Sequence, residues 1–111
     1  MLKHGPGVHD PNLEPLAGLF KLLSDKTRLK ILMLLSQGER NVSSLCEELK
    51  LPQPTVSHHL GLLRIERIIS NRRHGKQVFY GLDGQVRAGG DHVLQIRRDP
   101  FTIRIGSLTE N

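Results

Sequence analysis

Residues 53–60, Gln53-Pro54-Thr55-Val56-Ser57-His58-His59-Leu60, are the stretch from which the rest of the chain is read. They follow a short break, Lys50-Leu51-Pro52. Pro54 fits the first turn of a helix, where its missing N–H costs nothing. The spacing predicts a helix from about Gln53 to Glu66 with Val56, Leu60 and Leu63 on its inner face. Off that face lie Gln53, Thr55, Ser57 and His58, all polar and short. A helix of this size fits the major groove of a duplex, and such side chains can then reach base edges or phosphates. Gln53, near the helix start, carries an amide able to bond an adenine edge in two places. His58 and His59 are neighbours and so point in different directions. That separation assigns His58 to the duplex and His59 to a supporting place beside the backbone.

Upstream, Asn41 can cap a helix whose apolar face is Val42, Leu45, Cys46 and Leu49. Before it, Asp25 can cap a helix over Thr27 to Leu35 that is apolar almost all round, as suits the buried centre of a small domain. Gly38 ends that helix. A first amphipathic helix shows in Leu13, Leu16, Ala17, Phe20 and Leu23. Downstream of Glu66 the period changes from helical to two. Ile68 to Arg73 and Gln77 to Leu82 read as strands, with His74-Gly75 at the turn between them. The tip of this hairpin, Arg72-Arg73-His74-Gly75-Lys76, is strongly basic. Two helices joined by a tight break and followed by a basic hairpin make a winged helix-turn-helix over Asp25 to Leu82. Arg72, Arg73 and Lys76 are then placed to lie along a phosphate backbone or enter the neighbouring minor groove.

Charge supports this. The chain has 111 residues, a net charge of +5 and 37% hydrophobic residues, which suits one globular domain. Residues 1–50 carry seven Lys/Arg against six Asp/Glu, residues 51–82 five against one, and residues 83–111 four against four. The excess is therefore concentrated in the segment of the fourth helix and the hairpin, as a footprint on phosphate requires. No apolar run is long enough for a membrane span. The start, MLKHGPGVHDP, lacks the apolar stretch of a secretory signal. The single cysteine, Cys46, excludes an intrachain disulfide and is compatible with a reducing cytoplasm, the expected location. No local set of nucleophile and base, and no phosphate-cradling glycine loop, points to catalysis. An enzyme is not expected.

Leu19 to Asp83 resembles the ArsR/SmtB family of bacterial winged-helix repressors. Gln53 to Leu60 is similar to the family's recognition helix, and Gly75-Lys76 followed by Val78-Phe79-Tyr80 to its wing. The resemblance implies an α+β winged helix-turn-helix of about four helices plus a β-hairpin wing. It further implies homodimers that bind inverted-repeat operators on double-stranded DNA and repress transcription until an inducer binds. Two family features are missing. The cysteines of the arsenic site fall at Asn41 and Ser43, around Val42. The other metal site needs Asp and His on a C-terminal helix, and residues after Asp83 supply neither that spacing nor that helix.

In place of the family's last helix, His92 to Ile96 and Phe101 to Ile105 read as a second hairpin about Arg97-Arg98-Asp99-Pro100. The expected organisation is a flexible arm over 1–12, the winged helix-turn-helix over 13–83, and an extension over 84–111 whose hairpin contributes to the dimer interface. Phe101, Ile103 and Ile105 alternate along one face, which self-association would bury.

Metal and cofactor are not expected. His4, His9 and Asp10, with Asp91 and His92, are most simply solvated side chains. A lone Cys46 on an apolar helix face is most simply part of the core. Arg64 and Arg67, late in the fourth helix, are read first as partners of its terminal carbonyls. Two alternatives stay open on sequence alone. One is a metal- or redox-responsive repressor with a non-standard sensor. The other is a winged-helix module whose function is protein interaction.

Overall fold

A computed structural model describes residues 10–89 and 94–108. The element order is α1 (Asp10–Leu23), α2 (Lys26–Leu35), β1 (Arg40–Asn41), α3 (Val42–Leu49), α4 (Gln53–Ile65), β2 (Ile69–His74), β3 (Gln77–Leu82), β4 (Val86–Ala88), β5 (Leu94–Arg98) and β6 (Phe101–Ile105).

Both expected caps form. The Asp25 carboxylate accepts the Arg28 N–H at 3.0 Å, which starts α2. The Asn41 side-chain oxygen accepts the Ser44 N–H at 2.8 Å, which starts α3. Each satisfies one of the amide groups that a helix start leaves without a partner. The first helix starts earlier than expected. An arm ending at residue 12 is corrected, because α1 already begins at Asp10. Pro11 is compatible with a first turn, and the segment before Leu13 lacks the apolar period that marks a helix. Residues 1–9 lie outside the described residues.

α4 ends without glycine. Arg67 adopts the left-handed conformation, φ 61°, immediately after the helix. Its N–H donates to the Arg64 carbonyl at 2.9 Å, and the Ile68 N–H donates to the Leu63 carbonyl at 3.0 Å. This paired closure satisfies the last carbonyls and turns the chain sharply into β2. Ile68 is fully buried and anchors the turn. The wing is thus joined to α4 through a fixed corner.

The wing forms near its expected bounds, but β2 runs from Ile69 through His74, so the turn lies one residue later than the expected His74-Gly75. His74 pairs with Gln77 across a two-residue turn, Gly75-Lys76, with Gly75 at φ 65°. β1 adds a third strand on the far side of β3, through Arg40 opposite Tyr80 and Asn41 opposite Phe79. A two-residue strand carries no periodic signal, so sequence patterning passes over it. Its effect is to tie the wing to the start of α3.

The C-terminal hairpin forms with shifted bounds and an extra strand. β5 runs on to Arg98, so the turn is Asp99-Pro100 alone, and β4 pairs on the other side of β5. The expected strand start at His92 lies outside the described residues. The sheet order is β4-β5-β6. Val86, Leu94 and Ile96 from this sheet join Leu19, Leu23, Ile31, Leu32, Leu35, Leu45, Val56, Leu60, Leu63, Ile68 and Ile69 in one apolar cluster. The extension therefore shares its core with the helices and does not hang from them.

Candidate nucleic-acid interface

Val56, Leu60 and Leu63 bury one side of α4 completely or nearly so. That burial fixes the rotation of the helix and decides what it presents outward. Gln53, Pro54, Ser57 and His58 are exposed. Arg64 is exposed one turn beyond Gly61, on the stripe that starts at Gln53 and Ser57. Gly61 has open space where a Cβ would stand, so this stripe is flat between Ser57 and Arg64.

Thr55 and His59 share the flank between the buried and the open side, and both are half-buried. The His59 ring turns toward the start of α2, with only 14% of its side chain exposed. Arg28 donates from one guanidinium nitrogen to His59 Nδ1 at 3.3 Å and from Nε to the Leu22 carbonyl at 2.7 Å. With Arg28 donating, Nδ1 is the acceptor, so the neutral ring carries its proton on Nε2. The Asp25 carboxylate lies 4.0 Å from the same nitrogen. The hydrogen bond from the Arg28 backbone N–H holds the Asp25 carboxyl below its ordinary value, with the Arg28 charge adding to it. His59 therefore belongs to a polar contact joining the end of α1, the start of α2 and the middle of α4.

The wing separates its two arginines by strand alternation. Arg72 stands opposite Phe79 and Arg73 opposite Val78, so they occupy opposite faces of the ribbon. Arg72 donates to both Glu39 oxygens, at 2.7 Å from one nitrogen and 3.1–3.2 Å from Nε. Its guanidinium also lies 5.3 Å from the centre of the Phe79 ring. Glu39 reaches this position by lying across Gly81, where an added Cβ would come within 3.1 Å of the Glu39 Cγ. The hydrogen bond from Arg72 lowers the Glu39 carboxyl, and the same bond raises Arg72. Arg73 and Lys76 are exposed, and neither has a hydrogen-bond or ion-pair partner among the described residues.

Sequence reasoning missed Glu39. It lies 33 positions before Arg72, and nothing local links the two. Arg64 and Arg67 are also placed differently from expectation. The carbonyls they were expected to satisfy accept backbone N–H groups instead. Both side chains remain exposed cations at the corner between α4 and the wing. The signal for this was available in the absence of a glycine after the helix, but only with the closure geometry in view.

Among the described residues no three His, Cys, Asp or Glu side chains are grouped to hold a metal ion. Cys46 is half-buried against the core. His4, His9, Asp91 and His92 lie outside the described residues. Among the described residues no helix is long and apolar enough to cross a membrane.

A model of the family described as "Bacterial regulatory protein, arsR family" matches residues 25–71. The chain is 46% identical over 77 residues to the arsenical resistance operon repressor of Escherichia coli strain K12, covering 68% of this chain and 66% of that one. It is 38% identical over 68 residues to the transcriptional repressor SdpR of Bacillus subtilis strain 168, covering 61% and 76%. In structure it is similar to the homodimeric winged helix-turn-helix DNA-binding domain of Mb0332 from Mycobacterium bovis, solved as fragment 1–100. The TM-score is 0.63 at 30% identity, over 76% of this chain and 77% of that one. The chain spans 55–66% of the length of two of the curated relatives it matches, the Escherichia coli repressor among them.

Proposed function

The chain belongs to the arsR family of bacterial regulatory proteins, and on that premise we propose that it is a homodimeric repressor that binds an inverted-repeat operator. The observation that carries this is the open side of α4, where Gln53, Ser57, His58 and Arg64 are exposed and their side chains make no hydrogen bond or ion pair among the described residues. A surface helix in a folded domain gains nothing in stability from leaving such a row unpaired. Laid in a major groove, the row gains hydrogen bonds to base edges.

Gln53, Ser57 and His58 are assigned to base edges. Thr55 and His59, on the flank, set the angle at which α4 enters the groove, His59 through Arg28. Arg73 and Lys76 supply the wing's contacts to phosphate, with Arg64 and Arg67 at the corner. Arg72 has a different role, holding the wing's shape through Glu39 and Phe79. Two copies about a twofold axis would present two such helices to half-sites about one turn of duplex, ~34 Å, apart. The proposed place of action is the cytoplasm, and the proposed activity is binding without catalysis.

The distinguishing experiment compares His58→Ala with His59→Ala. His58→Ala should weaken affinity for the cognate operator by about 1–3 kcal/mol for each base edge it no longer reads, and leave thermal stability unchanged. His59→Ala should lower the melting temperature first. Fluorescence anisotropy and thermal melts read the two effects. Identical binding by His58→Ala and the parent protein, taken together with unchanged binding by Ser57→Ala, would remove α4 as the reading element.

A further inference from the structure

The C-terminal sheet has an open edge. β6 pairs with β5 on one side only, and no other described strand meets its outer side. Burial fades toward that edge. Along the inner row Val86, Ile96 and Ile103 stand side by side on the three strands. Val86 is 4% exposed and Ile96 fully buried, while Ile103 is only half-buried. In the next row Leu94 is fully buried and its partner Ile105 is half-buried. The apolar layer thus continues to the last strand but loses its cover there. An edge of this kind is a template for another strand, and folded proteins rarely leave it bare.

We infer that the edge of β6 pairs antiparallel with β6 of a second copy of this chain, centred on Ile103, to make one six-stranded sheet across the dimer. The inference rests on the homodimer proposed above and names the surface that forms it.

The sequence of β6 selects this register. In an antiparallel pair, directly opposed residues point to the same face. With Ile103 on the twofold axis, Phe101 meets the second copy's Ile105, and Ile103 meets its own equivalent. The apolar face then continues without a break from one sheet to the other. On the outer face Arg104 meets Thr102 of the second copy, so each guanidinium faces a hydroxyl. Moving the axis one residue on, to Arg104, sets the two Arg104 guanidinium groups directly opposite each other, which is unfavourable. Moving it one residue back, to Thr102, brings Pro100 into the pairing, where it has no N–H to give. An axis between two residues sets Ile103 and Arg104 on one face and turns the second copy's apolar layer to water. One placement among these satisfies pattern, charge and backbone together.

The test uses the full chain with Cys46 replaced by alanine, so that the only thiols are those introduced. Thr102→Cys and Arg104→Cys are made in separate chains, both on the exposed outer face, where neither disturbs the core. Each protein alone should fail to form an intermolecular disulfide, because in the proposed register each cysteine is two residues away from its own copy, beyond the ~7 Å Cα separation a disulfide tolerates. An equimolar mixture, co-refolded and then oxidised, should give a disulfide-linked species of twice the 12.5 kDa chain mass. Light scattering of the parent chain runs alongside. A dimer by light scattering with no cross-link in the mixture would overturn the β6 pairing and leave the homodimer standing. A monomer would overturn the homodimer and this pairing with it. Cross-linking by either cysteine chain alone would overturn the register.

Discussion

Arg73 and Arg72 are adjacent and both exposed, yet they should respond differently when DNA is bound at increasing salt. Arg73 has no partner among the described residues, and Arg72 is held by both oxygens of Glu39. If Arg73 neutralises one phosphate in each protomer, Arg73→Ala removes two such pairings from the dimer. Each phosphate contact on duplex DNA contributes about 0.9 to the slope of log affinity against log salt, so the slope should become shallower by about 1.8. Between about 50 and 200 mM salt the parent protein should lose about 12-fold more affinity than the variant.

Arg72→Ala should leave the slope nearly unchanged. For Arg72 to reach a phosphate it must leave Glu39, and that carboxylate would then face the DNA without its cation. Glu39→Gln reverses this. It frees Arg72 and should steepen the slope, by at most about the same 1.8. Fluorescence anisotropy on a labelled duplex at five or more salt concentrations gives all four slopes. The reasoning fails if Arg73→Ala runs parallel to the parent, or if Arg72→Ala flattens the slope as much as Arg73→Ala does.

Other expectations concern stability. Ile96, fully buried in the shared core, should cost about 2–5 kcal/mol when replaced by alanine, and should shift a single cooperative unfolding transition; a variant that lost only strand signal at low temperature would show the C-terminal sheet to be independent. Asn41→Ala removes the α3 cap and should cost about 1 kcal/mol by denaturant unfolding. Arg67→Gly relieves a left-handed side chain and should stabilise by about 0.5–1 kcal/mol, the relief exceeding the added flexibility of the unfolded chain. The lowered carboxyls of Asp25, Glu39 and Asp99 contribute to the acid limb. Because their folded values are lowered from the ordinary ones, their contribution is complete above the ordinary values and is lost as pH falls through the lowered values. Melting temperature measured against pH should therefore fall less steeply at the acid end in Glu39→Gln than in the parent.

The helices and the wing were legible because each rests on local signals. Asp25 and Asn41 cap the helices they precede, Val56, Leu60 and Leu63 recur at helical spacing, and Gly75 occupies a turn that needs positive φ. Elements defined by partners far along the chain were not. β1 exists because β3 is beside it, and β4 because β5 is. The same divide runs through the interface. The exposure of Gln53, Ser57 and His58 on α4 follows from helix periodicity alone. The inward turn of His59 depends on Arg28, 31 residues earlier, and the restraint on Arg72 depends on Glu39. Adjacent residues of one type, His58-His59 and Arg72-Arg73, thus have unlike surroundings, and the partners that hold His59 and Arg72 come from far along the chain.

The central claim is that α4 reads a sequence. Its most direct test is the affinity of the full chain for a duplex from its own upstream region against a scrambled duplex of equal length, at one fixed salt concentration. The account predicts a preference of at least about 1,000-fold for the upstream duplex. Equal affinity for the two duplexes, or binding to neither, would contradict it.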